Sequence, residues 1–207
     1  LEVALELLEH VAVEPVGIPN NNVRKQYYGY LEEEYQAKSH VDTNRLTDYY
    51  YDMAYDGIWE EGLRFMADAY AKVSSVRDGI ESERNLQGFF MAYLNLNDYY
   101  ITAPELELSH GYCDFFLLPD HTHYSSKHSY ILELKVLSKK EFDGPVKDTL
   151  DENGTPITKA ERQWREAVEQ IKHYAAAPRV EALRQDTTLH RIIMQFKGWE
   201  LARMEEV

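Results

Sequence analysis

Cysteine is nearly missing from this chain, with Cys113 the single one among 207 residues. One thiol excludes an internal disulfide and any zinc site built on clustered cysteines, and it fits a reducing cytoplasm. Long apolar runs are missing as well. No stretch approaches the roughly 18 residues that span a bilayer, and no secretory leader pattern is present, so a cytoplasmic protein without a membrane partner is expected. There is no internal repeat, no low-complexity tract and no G-x-x-x-x-G-K-[ST] phosphate loop. Any ATPase would have to lie upstream of Leu1, whose mid-helix context in place of a Met reads as the start of a fragment. Basic residues are also in short supply, 22 Lys and Arg against 36 Asp and Glu, for a net charge of -14. This balance argues against broad nucleic-acid binding, since phosphate contacts need cations. The deficit is uneven: acidic residues dominate 1–80 and 81–157, whereas 158–207 is slightly basic. Any polyanion contact is expected at Arg162, Arg165 and Lys172, which share one helical stripe; a solvated mixed-charge face is the simpler reading of the same three residues.

What is present is an ordinary globular balance, 44% hydrophobic, in a chain long enough for one sizeable core and a smaller appended layer. Residues 1–9 follow a helical apolar pattern that breaks at Pro15, Gly17 and Pro19. A helix is expected over 22–38, and a third capped by Asp42 or Thr43. Asp56 and Gly57 separate that one from a fourth over 58–73. This first part, 1–78, is read as a helical subdomain rich in tyrosine. Tyr49, Tyr50, Tyr51 and Tyr55 fit helix packing better than base stacking. From 79 to 207 the pattern changes to a core of helix (81–95) and strands (99–108, 112–118, 130–136), with a turn at Ser109, His110 and Gly111. Residues 137–157, acidic and holding Gly144, Pro145, Gly154 and Pro156, read as a mobile loop. Thr158 and Glu161 make a capping box for a helix that Pro178 stops, and HRIIMQF reads as the last buried strand. The fold class expected is α/β (α+β), a mixed central sheet flanked by helices and preceded by the helical subdomain.

The chemistry gathers between Gly111 and Lys135. GYCDFFLL sets Asp114 inside a strand, and YILELKV sets Glu133 and Lys135 two positions apart in another. Strand side chains alternate, so Ile131, Glu133 and Lys135 share one face while Tyr130, Leu132 and Leu134 take the other. Carboxylates with an ammonium on an apolar sheet are costly unless paired or holding a metal ion. Hard oxygen ligands with positions left for water suit Mg2+ or Mn2+. Cys113, next to Asp114 and so on the opposite face, is a buried small hydrophobe. His121, His123 and His128 have the look of a metal cluster, but exposed loop histidines account for them more simply.

At these residues the chain resembles the PD-(D/E)XK nuclease superfamily. Asp114 stands at the family's first metal-binding Asp, Glu133, Leu134 and Lys135 match its (D/E)-x-K triplet, and Ala167, Gln170, Ile171 and Tyr174 match its Gln-Tyr helix motif. Glu83 in ESERNLQGFFMAYL resembles the acidic residue of the first core helix. These elements follow the family's order across 81–200. The closer resemblance is to the nuclease-like C-terminal domain of AAA-ATPase-like bacterial proteins, where a segment like IPNNNVRKQYYGYL (Ile18 to Leu31) precedes the core. Two departures stand out: Tyr112 and Cys113 replace an Arg and a small residue common in relatives, and the Pro of the family name is absent.

The resemblance implies Mg2+ (or Mn2+) held by Asp114, Glu133 and the backbone carbonyl of Leu134. It implies Lys135 orienting water or neutralising charge, Gln170 and Tyr174 facing the site, and Glu83 acting directly or through water; Glu105 is a weaker extra ligand candidate if its strand pairs beside that of Asp114. It also implies DNA or RNA as substrate and an upstream ATPase domain in the same polypeptide. Three functional classes follow. The first is a metal-dependent phosphodiesterase; the second is an inactive nuclease-like fold serving as a binding or regulatory module, with Glu133 and Lys135 a plain ion pair. The third makes the helical N-terminal part a protein-docking surface.

Overall fold

The computed structural model describes residues 42–75, 83–108, 111–150 and 156–207. The helices expected within 1–9 and 22–38, and the turn residues Ser109 and His110, lie outside the described residues. Helix α1 (Thr43–Tyr55) starts where Asp42 accepts the Asn44 and Arg45 amides, a cap that stabilises a helix by about 1 kcal/mol. Gly57, at φ 71°, turns the chain into α2 (Glu60–Ser75). A side chain is barred there twice over, by the left-handed backbone and because a Cβ would lie 2.7 Å from the His128 ring. Helix α3 (Glu83–Leu94) follows, with Leu86, Phe89, Phe90 and Tyr93 on its buried side.

The sheet comes next. Strands β1 (Tyr100–Leu108), β2 (Gly111–Pro119) and β3 (His128–Leu137) form an antiparallel meander. After α4 (Lys139–Phe142), a small hairpin of β4 (Pro145–Leu150) and β5 (Pro156–Thr158) leads to α5 (Lys159–Ala175) and α6 (Pro178–Arg184). Strand β6 (Thr188–Lys197) then pairs parallel to β3, and β7 (Glu200–Glu206) pairs antiparallel to β6. The five-stranded order is β1-β2-β3-β6-β7.

Central β3 is buried on both faces and its alternation runs as read from the sequence. Tyr130, Leu132 and Leu134 enter one core with Phe115, Leu117, Met194 and Phe196, covered by α1, α2 and α3. Ile131 enters a second core with Phe116, Ile193, Trp164 and Ile171, covered by α5 and α6. Tyr49 and Tyr50 pack inside, and Tyr50 donates to the Tyr93 carbonyl at 2.6 Å. The mixed sheet flanked by helices, with a helical N-terminal part, is thus as expected.

A chain of polar contacts joins the helical layer to the far end of the sheet. His128 Nδ1 lies 2.9 Å from His190 Nε2, and His190 Nδ1 lies 2.8 Å from Glu206 Oε1. Trp59 Nε1 donates to the other Glu206 oxygen at 3.1 Å, and the Tyr130 ring stacks on His190. One reading needs correction: residues 137–157 are not one long loop, because Ser138 caps α4 and β4 pairs with β5. Helix α5 ends at Ala175, ahead of Pro178 as read, and Pro178 then opens α6, where its missing N–H costs nothing at a first helical position. HRIIMQF is a buried strand as read, and Gly198, at φ 63°, then reverses the chain into β7, a partly exposed edge strand whose many charges hide its strand character. Among the described residues no helix is long and apolar enough to cross a membrane.

Candidate active site

The site forms where β2 and β3 part. Their ladder runs from Leu117 with Tyr130 to Phe115 with Leu132 and stops there. One residue further on β2, the Asp114 carboxylate takes over from the ladder: its Oδ2 accepts the Leu134 amide at 2.6 Å. Its Oδ1 accepts the Gln87 side-chain amide from α3, also at 2.6 Å. Asp114 is half-buried and its carboxylate is held from two sides.

On β3, Glu133 is only 1% exposed, and its Oε1 receives the Lys135 ammonium at 2.6 Å. Its Oε2 is buried without a hydrogen-bond partner. An orphaned buried carboxylate oxygen costs on the order of 1–3 kcal/mol or more, so this arrangement calls for a further cation or donor. Burial pushes the Glu133 carboxyl up to about 7, the Asp114 charge adds to the rise, and Lys135 pulls against it. For Lys135, burial favours the neutral amine, but Glu133, Asp114 and Glu83 outweigh it and the shift is upward. Glu83 stands on the exposed rim at the start of α3. Partial desolvation raises its carboxyl, Lys135 lowers it and Asp114 raises it. The fold thus brings Glu83, Asp114, Glu133 and Lys135 into one electrostatic neighbourhood, although they come from three different elements.

Helix α5 supplies the other wall. Thr158 caps it by accepting the Glu161 amide at 3.1 Å, while the Glu161 side chain turns to Arg165. Ala167 and Tyr174 are buried against the sheet, and Gln170, half-buried, donates to the Tyr174 hydroxyl. Tyr174 lies over Gly111 so closely that a Cβ there would sit 2.7 Å from its ring and hydroxyl. Burial raises the phenol; the Gln170 hydrogen bond lowers it, and Glu133 pushes it up again. Gln163, two turns before Gln170 on the same stripe, reaches the Val136 carbonyl at 3.3 Å and accepts from Gln195 at 3.0 Å. Gln163 is therefore the residue that ties α5 to the backbone just past Lys135.

Other candidates are not gathered here. His123 pairs with Asp120 at 2.9 Å and His128 with His190, so the loop histidines diverge. Arg162, Arg165 and Lys172 are exposed and each sits beside a glutamate of the same helix, Glu166, Glu161 and Glu169. Glu105 belongs to β1, but its side chain lies outside the described residues. Cys113 is fully buried in the core that also holds Ile131, on Glu133's side of the sheet, and burial followed by the Glu133 and Asp114 charges pushes its thiol up to about 12.

Gln87 is the site residue that sequence reading missed. Its signal was present, four positions after Glu83 and hence on the same helical face. Among the described residues no group of three or more His, Cys, Asp and Glu side chains forms a metal cage. Two carboxylates with one orphaned oxygen suit an ion that keeps several waters, as Mg2+ does. A family model described as the PD-(D/E)XK nuclease superfamily matches residues 81–206. Neither a curated protein nor a solved structure matches the chain.

Proposed function

Because the chain belongs to the PD-(D/E)XK nuclease superfamily, we propose that it is a Mg2+-dependent nuclease domain that hydrolyses phosphodiester bonds of DNA or RNA. One observation carries this reading: the buried Glu133 Oε2 lacks a partner although Glu133 sits beside Asp114 and is already paired with Lys135 through its other oxygen. Asp114, Glu133 and the Leu134 carbonyl would hold the ion. Mg2+, or Mn2+ in its place, would supply polarisation of the scissile phosphate and a water of lowered pKa. Lys135, kept charged by three carboxylates, orients the attacking water and neutralises charge that develops on the phosphate oxygens. Gln170 and Tyr174 form a neutral donor pair on the adjoining wall, suited to position the substrate. Glu83 at the rim acts through water.

The reading extends to a helical unit over 1–78 with the nuclease core over 79–207, and to a cytoplasmic protein with an ATPase domain upstream. The segment Ile18 to Leu31 supports that last point through its resemblance to the one that leads into the nuclease-like domain of AAA-ATPase-like proteins. A regulatory or binding module is the second reading, favoured by the ready-made Lys135–Glu133 pair and the net charge of -14.

Cleavage assays on single-stranded, double-stranded and branched substrates with Mg2+ or Mn2+, paired with calorimetric metal titration, separate the two. Under the nuclease reading Lys135→Ala abolishes cleavage and keeps metal binding, because an ammonium is no ligand; Glu133→Ala abolishes both. A protein that neither cleaves nor binds metal is the regulatory module. Cleavage undiminished in Lys135→Ala would mean that the site lies elsewhere.

A further inference from the structure

We infer that the cleft between α5, α6 and the start of β6 binds a phosphate group, an inference that does not depend on the nuclease reading. The cleft measures about 590 Å³, within the roughly 300–1,000 Å³ of small-ligand sites. Lys172 of α5, Arg184 of α6 and Arg191 of β6 line it, and Asp186 is the one carboxylate among its described lining residues. None of these residues belongs to the Asp114 and Glu133 site. The last turns of both helices also line the cleft, and each helix end is worth about half a negative charge. Against three full cations, those ends and Asp186 leave a positive remainder of about one charge. In a chain of net charge -14 such a remainder stands out.

Arg191 is the anchor. Lys172 is held only loosely, by Glu169 at 3.8 Å. Arg184 is committed, with two donors on Glu181 at 2.7 and 2.6 Å and a third on the Thr187 carbonyl at 2.6 Å. Arg191 is half-buried and makes no side-chain hydrogen bond or ion pair among the described residues. A half-buried cation without a counter-charge is costly, and a guanidinium presents a planar fork of donors that matches two oxygens of one phosphate. Its backbone is fixed by pairing with Ile131 and by the Val207 amide on its carbonyl at 2.9 Å, so the fork leaves a rigid strand. The facing turn is set as firmly. Gln185 sits at φ 53°, a backbone that glutamine adopts only under constraint, and the Thr187 hydroxyl lies 2.9 Å from that of Ser129 and 2.6 Å from the Arg184 carbonyl. Cations arriving from three elements suit a tetrahedral anion, with oxygens on several sides, better than a planar carboxylate. The ligand is therefore a phosphate group, carried by a free nucleotide or by a nucleic-acid strand.

The test follows backbone amide shifts of the full chain by NMR, in chelator, with inorganic phosphate, AMP, adenosine and a short single-stranded DNA as probes. Phosphate and AMP should move the amides of 186–191 and of Ala175 and Ala176, whereas adenosine, which lacks the phosphate, should not. Arg191→Gln is expected to weaken AMP on the order of 10-fold, as loss of hydrogen bonding to a charged group does. Arg191→Lys keeps the charge but not the fork and should lose less. If Arg191→Gln does not fold, Lys172→Gln, on an exposed helix face, carries the same expectation with a smaller loss. DNA acting on these amides at lower concentration than AMP upholds the site with a strand as its ligand; AMP acting at least as strongly upholds it with a free nucleotide. Shifts that miss these amides, or equal AMP affinity in the unaltered protein and the variants, overturn the site. Cleavage is a separate readout, so this inference and the nuclease reading can each fall alone.

Discussion

Glu133 has one oxygen paired and the other bare, and its proton affinity records that imbalance. Its folded carboxyl is raised from 4.5 to about 7, so between those values the folded chain holds a proton that the unfolded chain has lost. Stability of the metal-free protein is therefore fullest below 4.5 and falls as pH rises through about 7. Urea midpoints measured in chelator at about pH 5 and about pH 8 should show that fall, and Glu133→Gln, which cannot ionise, should largely remove it. An unchanged slope in the variant would place the titration elsewhere. At this scale the sequence was informative wherever a residue was out of place in its own strand. Asp114 between Cys113 and Phe115, or Glu133 between Leu132 and Leu134, is an anomaly that needs a reason. Gln87 raised no such flag, because an amide on a helix is unremarkable until the carboxylate it serves is seen. The orphaned Oε2 was equally hidden, since which of two oxygens Lys135 takes is decided by side-chain packing.

At the scale of elements, the contact between the helical layer and the sheet end carries its own pH dependence. Burial lowers the pKa of His128 below 6.5, His190 and Lys127 lower it further, and Asp56 and the Tyr55 carbonyl oppose them. The unfolded chain then binds the proton first, so this contact contributes stability above 6.5 that is lost as pH falls below it. His128→Asn should be less stable than the parent near about pH 8, and its unfolding midpoint should drop less between about pH 7 and about pH 5.5, read by denaturant titration. A parallel drop in both proteins would dismiss His128 as the source. Elements were legible where a local rule sufficed: Asp42 and Thr158 caps, the Gly57 break, and the apolar alternation of β3. Strand β7 was not. ELARMEE is charged because it lies at a sheet edge, and position in a sheet is a tertiary fact. The β4–β5 hairpin was lost for a similar reason, since glycine and proline mark turns without saying whether strands flank them.

For the whole molecule, the division into a helical part and a nuclease core can be tested against the shared interior. Tyr50, Met53, Leu63, Met66 and Tyr70 of α1 and α2 join one core with Phe115, Leu132 and Phe196 of the sheet, and the Tyr130 hydroxyl donates to the Met53 carbonyl at 2.7 Å. A fragment of 79–207 would keep only α3 over that sheet face and expose the rest, and it should elute as aggregates in gel filtration and bind a hydrophobic dye. A monomeric, cooperatively unfolding fragment would show that the core stands alone. The sequence could place a change of pattern near residue 78, but a change of pattern does not tell whether the two sides share an interior. The parallel pairing of β3 with β6 gives the molecule a timetable as well. Gln87, Asp114, Glu133 and Lys135 lie within one stretch of the meander and its preceding helix, and they can assemble while the ribosome is still making the rest. Their neighbour β6 arrives only after the crossover of 138–187 has been synthesised and closed. Contacts at such separation form slowly. Until they do, β3 presents an open, apolar edge with Asp114 and Glu133 already in place, so the nascent chain is most prone to aggregation just before the sheet is completed.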